Sequence, residues 1–372
     1  MNDTHFHSVV DIAPIRSVAH LTWSFTALIG IPANVFVLAA IVYFRDMRTV
    51  SNIYIFNLAL ADLLFLCGIP VSIFGTSTPG GWNLGPIVCK LYIAGNAVSQ
   101  FASAIFIAIL SFDRYLAVCR PIQSASWRTT RAAFVLSLAA WVMVIFEMTP
   151  LLLFVKLIYF NLGDGAEKRT CMIFVGNDTV VDFTVAISDS QLNTLESNVL
   201  LSRMLFTSYT FALSYLIPLV AVWFFYFKII LQMCRRKRQM YAKRTAAKRK
   251  TTKVTIMGLA IVVSYTHCWL PFWITQWAIE LNLLAESPFF LICVSYFAYA
   301  LQYLNSAANP FLYVFLSDSF QKNIAKLIRT AKPEKQLMLR SSSQVPSENS
   351  RMLNVTNNPM CSPSTLSTNS TC

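Results

Sequence analysis

Seven stretches of this chain are apolar almost without interruption, at about 21–44, 53–75, 88–118, 132–155, 204–231, 254–279 and 288–316. Each exceeds the roughly 20 residues that a helix, rising about 1.5 Å per residue, needs to cross a hydrocarbon core about 30 Å thick. No water pairs with backbone amides inside lipid, so a spanning segment must satisfy its own, and segments of this length do so as α-helices. The expected fold class is an all-α membrane protein, a bundle of seven transmembrane helices. Of the 372 residues 56% are hydrophobic and 13% charged, where a soluble domain carries about 25% charged. So much apolar surface excludes a soluble enzyme, a disordered chain and, despite the net charge of +13, a nucleic-acid binder. Pro218, Pro271 and Pro310 fall inside the last three stretches, where membrane helices tolerate them as kinks.

Loop charge sets the expected orientation. With the N-terminus outside, the outer segments (1–20, 76–87, 156–203, 280–287) carry 5 Lys/Arg and 10 Asp/Glu, and the inner segments (45–52, 119–131, 232–253, 317–372) carry 22 and 4. That asymmetry follows the positive-inside rule, which makes the basic charge a topological signal. The start, Met1-Asn2-Asp3-Thr4-His5, lacks the basic region of a cleaved signal peptide, so the first helix is expected to direct its own insertion. Asn2 and Asn177 head glycosylation triplets on the outer side. Of nine cysteines, only Cys89 and Cys171 fall on the oxidising side. They form either a bridge from the second outer loop to the top of the third helix or two free thiols.

Ionisable and amide side chains in a membrane helix are expensive and point to function. Asp62 lies in the middle of the second helix, with Asn34, Ser103, Asn305, Ser306 and Asn309 at comparable depths in the first, third and seventh. Together they could form a hydrated polar core holding a small cation, with Asp62, Ser103, Asn305 and Asn309 as a sodium site. The plainer alternative is a set of interhelical hydrogen bonds, although a lone carboxylate still needs a counter-charge or a proton.

At the inner end of the third helix stands Asp113-Arg114-Tyr115. Asn34, the Asp62 segment, Cys89, Asp113-Arg114-Tyr115, Trp141, Pro218, Tyr226, Cys268-Trp269-Leu270-Pro271 and Asn309-Pro310-Phe311-Leu312-Tyr313 occur in order, one set per helix. This series resembles the signature set of rhodopsin-like (class A) G-protein-coupled receptors over about residues 20–330. The resemblance implies a two-state switch. Asp113 holds Arg114 at rest. On activation the sixth helix swings outward on its Pro271 kink, and Arg114 extends towards Tyr226, Tyr313 and a G-protein helix. Trp269 couples ligand contact to that motion. Many relatives carry an acidic residue at the base of the sixth helix that also grips the arginine, whereas this chain has Thr251. Without that second clasp, raised basal activity is expected.

The same resemblance narrows the ligand. The seventh helix holds no lysine for a retinal Schiff base, and the position where amine receptors carry a carboxylate is Asn96. The second outer loop is long enough for a lid or hairpin around Cys171, and Trp82-Asn83-Leu84-Gly85 is similar to the Trp-x-x-Gly element of peptide receptors. Thr49 to Ala59, Ser111 to Val118, Trp269-Leu270-Pro271-Phe272 and Phe315 to Phe320 look most like the somatostatin, opioid and allatostatin-C branch. Asn96 departs from the aspartate of somatostatin and opioid receptors, and Ser99 from an asparagine at the branch's sodium site. The expected ligand contacts are Asn96, Gln100, Trp269, Gln276, Tyr299 and Tyr303. Glu280 could meet a basic peptide residue or stand in solvent without a role, and Glu147 has no assigned role.

The expected organisation is an extracellular tail over 1–20, a receptor domain over 21–316, an amphipathic interfacial helix over 317–331 and a disordered cytoplasmic tail over 332–372. Serines 341, 342, 343, 347 and 350 of that tail are candidate sites for a receptor kinase and arrestin. The basic third inner loop could meet acidic membrane lipid or a G protein. The expected function is a plasma-membrane receptor for a small neuropeptide that activates a heterotrimeric G protein of the inhibitory type. No cofactor beyond an allosteric sodium ion is expected, nor any covalent chemistry. The alternatives are a receptor of the same fold for a lipid or other non-peptide ligand, a constitutively active orphan and, more remotely, a seven-helix transporter.

Overall fold

Two threonines set where the inner helix ends begin. The Thr49 side chain accepts from the Asn52 amide and that of Thr129 from the Ala132 amide, each satisfying a donor that the first turn leaves orphaned. In the computed structural model the helices they start belong to a set of seven among the described residues, each long and apolar enough to cross a membrane. The structure describes residues 12–161, 167–173, 180–182, 200, 203–239, 246–283, 287–317 and 319–326. The helices are α1 (Ala13–Tyr43), α2 (Val50–Ser77), α3 (Gly85–Cys119), α4 (Thr130–Phe154), α5 (Arg203–Arg235, continuing to Gln239), α6 (Ala246–Glu280) and α7 (Pro288–Leu316). A short α8 covers 319–326. One unit runs to Asn323, and of the second only 324–326 are described.

Several helices outrun their apolar stretches. α1 begins at Ala13, inside the tail expected over 1–20, and its 31 residues span about 46 Å, more than the hydrocarbon core. α5 and α6 likewise extend into the basic segment over 232–253, whose residues 240–245 lie outside the described residues. Residues 327–372, with the rest of the expected interfacial helix and the whole tail, also lie outside them. Pro32 and Pro150 sit inside α1 and α4, and α2 breaks at Gly68 just before Pro70.

The bundle buries a continuous apolar core and leaves Leu21, Phe25 and Leu28 of α1 and Phe134, Val142 and Phe146 of α4 exposed. Such outward apolar patches suit lipid rather than water. α5 carries a π-turn over Ala212–Leu216. This wider turn changes the local hydrogen-bond pattern, and the Ser214 carbonyl accepts from the Tyr265 hydroxyl of α6 at 2.6 Å.

Between α4 and α5 lies a three-stranded sheet of order β2-β1-β3. β1 (Val155–Asn161) pairs antiparallel with β2 (Glu167–Ile173) and parallel with β3 (Val180–Asp182). Cys171 of β2 is bonded to Cys89 of α3, so the first of the two thiol readings holds. The α2–α3 loop pins β2 from its other side, with the Arg169 amide donating to Gly80 O at 2.8 Å and the Trp82 amide to Arg169 O at 2.9 Å. Gly81 makes this possible. Its φ is +88°, and a Cβ there would run into the Arg169 carbonyl. Gly81→Ala is expected to cost about 1–3 kcal/mol through backbone strain, read as an earlier thermal unfolding of receptor in nanodiscs.

Candidate functional site: a cavity above a charged switch

A cavity of about 590 Å³ opens beneath β2, within the usual range for small-molecule and cofactor sites. α3 brings Asn96 and Gln100 to its wall, α6 brings Trp269, Gln276 and Glu280, and α7 brings Tyr299 and Tyr303. All six expected ligand contacts thus line one space, together with Glu280. Its floor is aromatic, with Trp269 stacked on Phe65 at 6.1 Å and tilted against Tyr265 at 5.7 Å. Gln100 Nε2 donates to Ser214 Oγ at 2.9 Å, and the Trp269 and Gln302 side-chain N–H groups are buried without a partner among the described residues. The wall therefore offers amides and ring faces, the groups that suit peptide backbone and aromatic side chains. Glu280 is not solvated: it is 7% exposed, and Thr207 Oγ1 donates to its Oε1 at 3.1 Å.

Below, at the inner end of α3, Asp113 and Arg114 are both buried, and Arg114 Nη2 pairs with Asp113 Oδ2 and the Ser51 hydroxyl. Arg128, from the loop before α4, also donates to Asp113, Nε to Oδ1 at 2.8 Å and Nη2 to Oδ2 at 3.3 Å. One carboxylate thus holds two guanidinium groups, where only the first pairing was expected. Tyr226 and Tyr313 are buried, and among the described residues their hydroxyls have no partner in hydrogen-bond geometry. Tyr115 lies apart from that cluster, against Phe112 and Phe225 at 6.5 and 5.6 Å. α6 comes close to Tyr226 at Gly258, where a Cβ would collide with the Tyr226 hydroxyl and lie 3.7 Å from Arg114 Cγ. Thr251 lies on α6, and its side chain is outside the described residues.

The family model described as "7 transmembrane receptor (rhodopsin family)" matches residues 33–313. The chain belongs to the rhodopsin family of seven-transmembrane receptors. It is 31% identical over 306 residues to somatostatin receptor type 1 of Rattus norvegicus, covering 82% of this chain and 70% of that one. Type 5 of the same species is 31% identical over 300 residues (81% and 74%), and type 2 of Sus scrofa 29% over 316 (84% and 78%). The protein is therefore a G-protein-coupled receptor of the plasma membrane, crossing it several times, and a signalling protein rather than an enzyme.

In this receptor the family positions meet as neighbours. Trp141 Nε1 donates to Asn57 Oδ1 at 2.8 Å, tying α4 to α2. Asn34 Nδ2 donates to the Ser306 carbonyl at 3.1 Å, tying α1 to α7. Asn309 Nδ2 donates to Asp62 Oδ2 at 2.7 Å, and among the described residues Asp62 Oδ1 and Asn309 Oδ1 are buried without a donor in hydrogen-bond geometry. Two orphaned oxygens fit a small hard cation, with Ser103 and Asn305 buried as further candidates, although Asn305 Oδ1 already accepts from Ser264. Ser99 turns its hydroxyl away, to the Ala61 carbonyl at 2.6 Å. Among the described residues no group of three His, Cys, Asp or Glu side chains converges. Pro271 and Pro310 sit inside α6 and α7. Asn2 and Asn177 lie outside the described residues.

Sequence reasoning missed Ser51 and Arg128 as partners of Asp113, and Thr207 and Arg203 around Glu280. A half-buried hydroxyl at a helix start gives no signal of its own. Arg128 lies 15 positions from Asp113, in a loop whose path hydropathy does not give.

Proposed function

We propose that the receptor binds a small peptide of the somatostatin or allatostatin-C type and activates a heterotrimeric G protein of the inhibitory class. The reading rests chiefly on the cavity under β2, which is wide, open and walled by amide and aromatic groups. The names of its relatives support it. The N-terminus is taken as outside on the loop charges. Ligand pressing on Trp269 biases α6, and α6 packs on Tyr226 through Gly258. Its departure frees Arg114 to meet the G protein. A monovalent cation between Asp62 and Asn309 would favour the arrangement in which α2 and α7 stay together. The serines of the tail would take phosphate and arrestin, and the basic ends of α5 and α6 would meet acidic lipid.

The test is G-protein activation in cells expressing the chain, against a panel of somatostatin-like and allatostatin-C-like cyclic peptides, with Arg114→Ala as control. A saturable response to one peptide, lost in the control, is the expected result. Silence across the panel with strong basal signal would sink the peptide assignment and favour the constitutive reading that Thr251 motivates. Trimming the hairpin separates the remaining alternative, since a lipid entering between helices would still act.

A further inference from the structure

Glu280 ends α6, at the level where a carboxylate normally meets water, yet its Oε2 is buried with no hydrogen-bond partner among the described residues. Oε1 accepts from Thr207, and Arg203 Nη2 approaches it at 3.5 Å with a side chain 39% exposed. That separation is beyond a normal N–H···O bond, so Arg203 leaves the second oxygen unmatched. A buried charged acceptor without a donor is costly. Glu280 and Arg203 are the two charged residues among the described lining of the cavity. Asn96, on the α3 wall of the same cavity, is neutral.

We propose that Glu280 is the receptor's anchor for a cationic side chain of the ligand, with Arg203 as a competing cation that the ligand displaces. The carboxylate that would meet positive charge thus stands on the outer rim, between α5 and α6. Glu280 lies 11 positions beyond Trp269, about 16 Å along α6. A ligand touching both must place its cation several residues from the group that reaches the floor. Gln276, one turn below Glu280, supplies an amide on the same face. A guanidinium matches the site best, because its flat fork can meet Oε2 and share Oε1. The inference rests on the reading that this cavity holds a ligand.

The probe is N-acetyl-arginine amide, with its citrulline counterpart as neutral isostere, measured by thermal shift on the full-length receptor in nanodiscs. The arginine probe is expected to stabilise the wild type and the citrulline probe not to. Glu280→Gln should weaken the arginine effect roughly ten- to a hundredfold, and Glu147→Gln should leave it unchanged. Arg203→Gln should strengthen it, a gain that misfolding cannot imitate. Equal responses of wild type and Glu280→Gln, or no response of either wild type or Arg203→Gln, would overturn the proposal and leave Glu280 as a tether for Arg203. A second arm uses cyclic peptides with arginine or citrulline at one position. If these activate the receptor and Glu280→Gln shifts both alike, the peptide reading stands and this inference falls. If the arginine probe binds through Glu280 while no peptide activates, the reverse holds.

Discussion

Asp113→Asn is expected both to destabilise the receptor and to raise its signalling without ligand. The substitution keeps the shape of the side chain but removes the charge that faces Arg114 and Arg128 together. Arg114 is 6% exposed, and breaking a buried ion pair from one side costs about 3–5 kcal/mol. Arg128 is partly exposed and can turn to water. In place Arg114 keeps only neutral acceptors, the Ser51 hydroxyl among them, and it reaches water or a new counter-charge by leaving that position, which is the motion activation requires. Thermal unfolding in nanodiscs and basal G-protein activation in cells read the two effects separately. Arg128→Gln serves as the comparison: it leaves the Arg114 pair intact and removes a partly screened contact, so its effect should stay below about 1 kcal/mol. Equal effects of the two substitutions would mean that Asp113 does not restrain Arg114.

The second large effect is expected at Gly258. Here α6 approaches Tyr226 so closely that one added methyl group has no room, and Tyr226 is itself fully buried. Overpacking of this kind costs about 1–3 kcal/mol. If that cost falls only on the arrangement with α6 against Tyr226, the open-to-closed ratio rises roughly 5- to 150-fold. Gly258→Ala should therefore raise basal signalling, even though alanine is by itself the better helix former. A Tyr226→Phe change in the same chain removes the colliding hydroxyl and should bring the signal back down. Unchanged basal activity in Gly258→Ala would show that Tyr226 turns aside and that this contact does not hold α6.

The sequence revealed what hydrocarbon imposes and missed what water permits. Seven spans were readable because lipid demands a minimum apolar length. The real helix ends, such as Ala13 and Ala246, were not, because a helix continuing into water needs no apolar signal. The Cys89–Cys171 bond was narrowed by counting thiols on the oxidising side. The burial of Glu280 was hidden because it depends on Thr207 and Arg203, more than 70 positions away on another helix. The pairing of Arg128 with Asp113 was hidden because a loop's path is not written in its hydropathy. The π-turn left only an indirect mark: Ala212-Leu213-Ser214-Tyr215-Leu216 reads as ordinary helix, and only Pro218, which has no N–H for the Ser214 carbonyl four positions back, interrupts it.

That turn sets the phase of α5. Thr207 above it faces the cavity and Tyr226 below it faces the switch, 19 positions apart in the chain. In an uninterrupted α-helix each residue advances about 100°, so 19 steps would leave the two side chains roughly 100° out of line. A π-turn absorbs one residue, and the remaining 18 steps make about five whole turns. The bulge thus works as a vernier that keeps the two ends of one helix in phase. A slip of the bulge to regular α-helix would swing Thr207 out of the cavity or Tyr226 away from Gly258, so events at one end of α5 cannot stay private to that end.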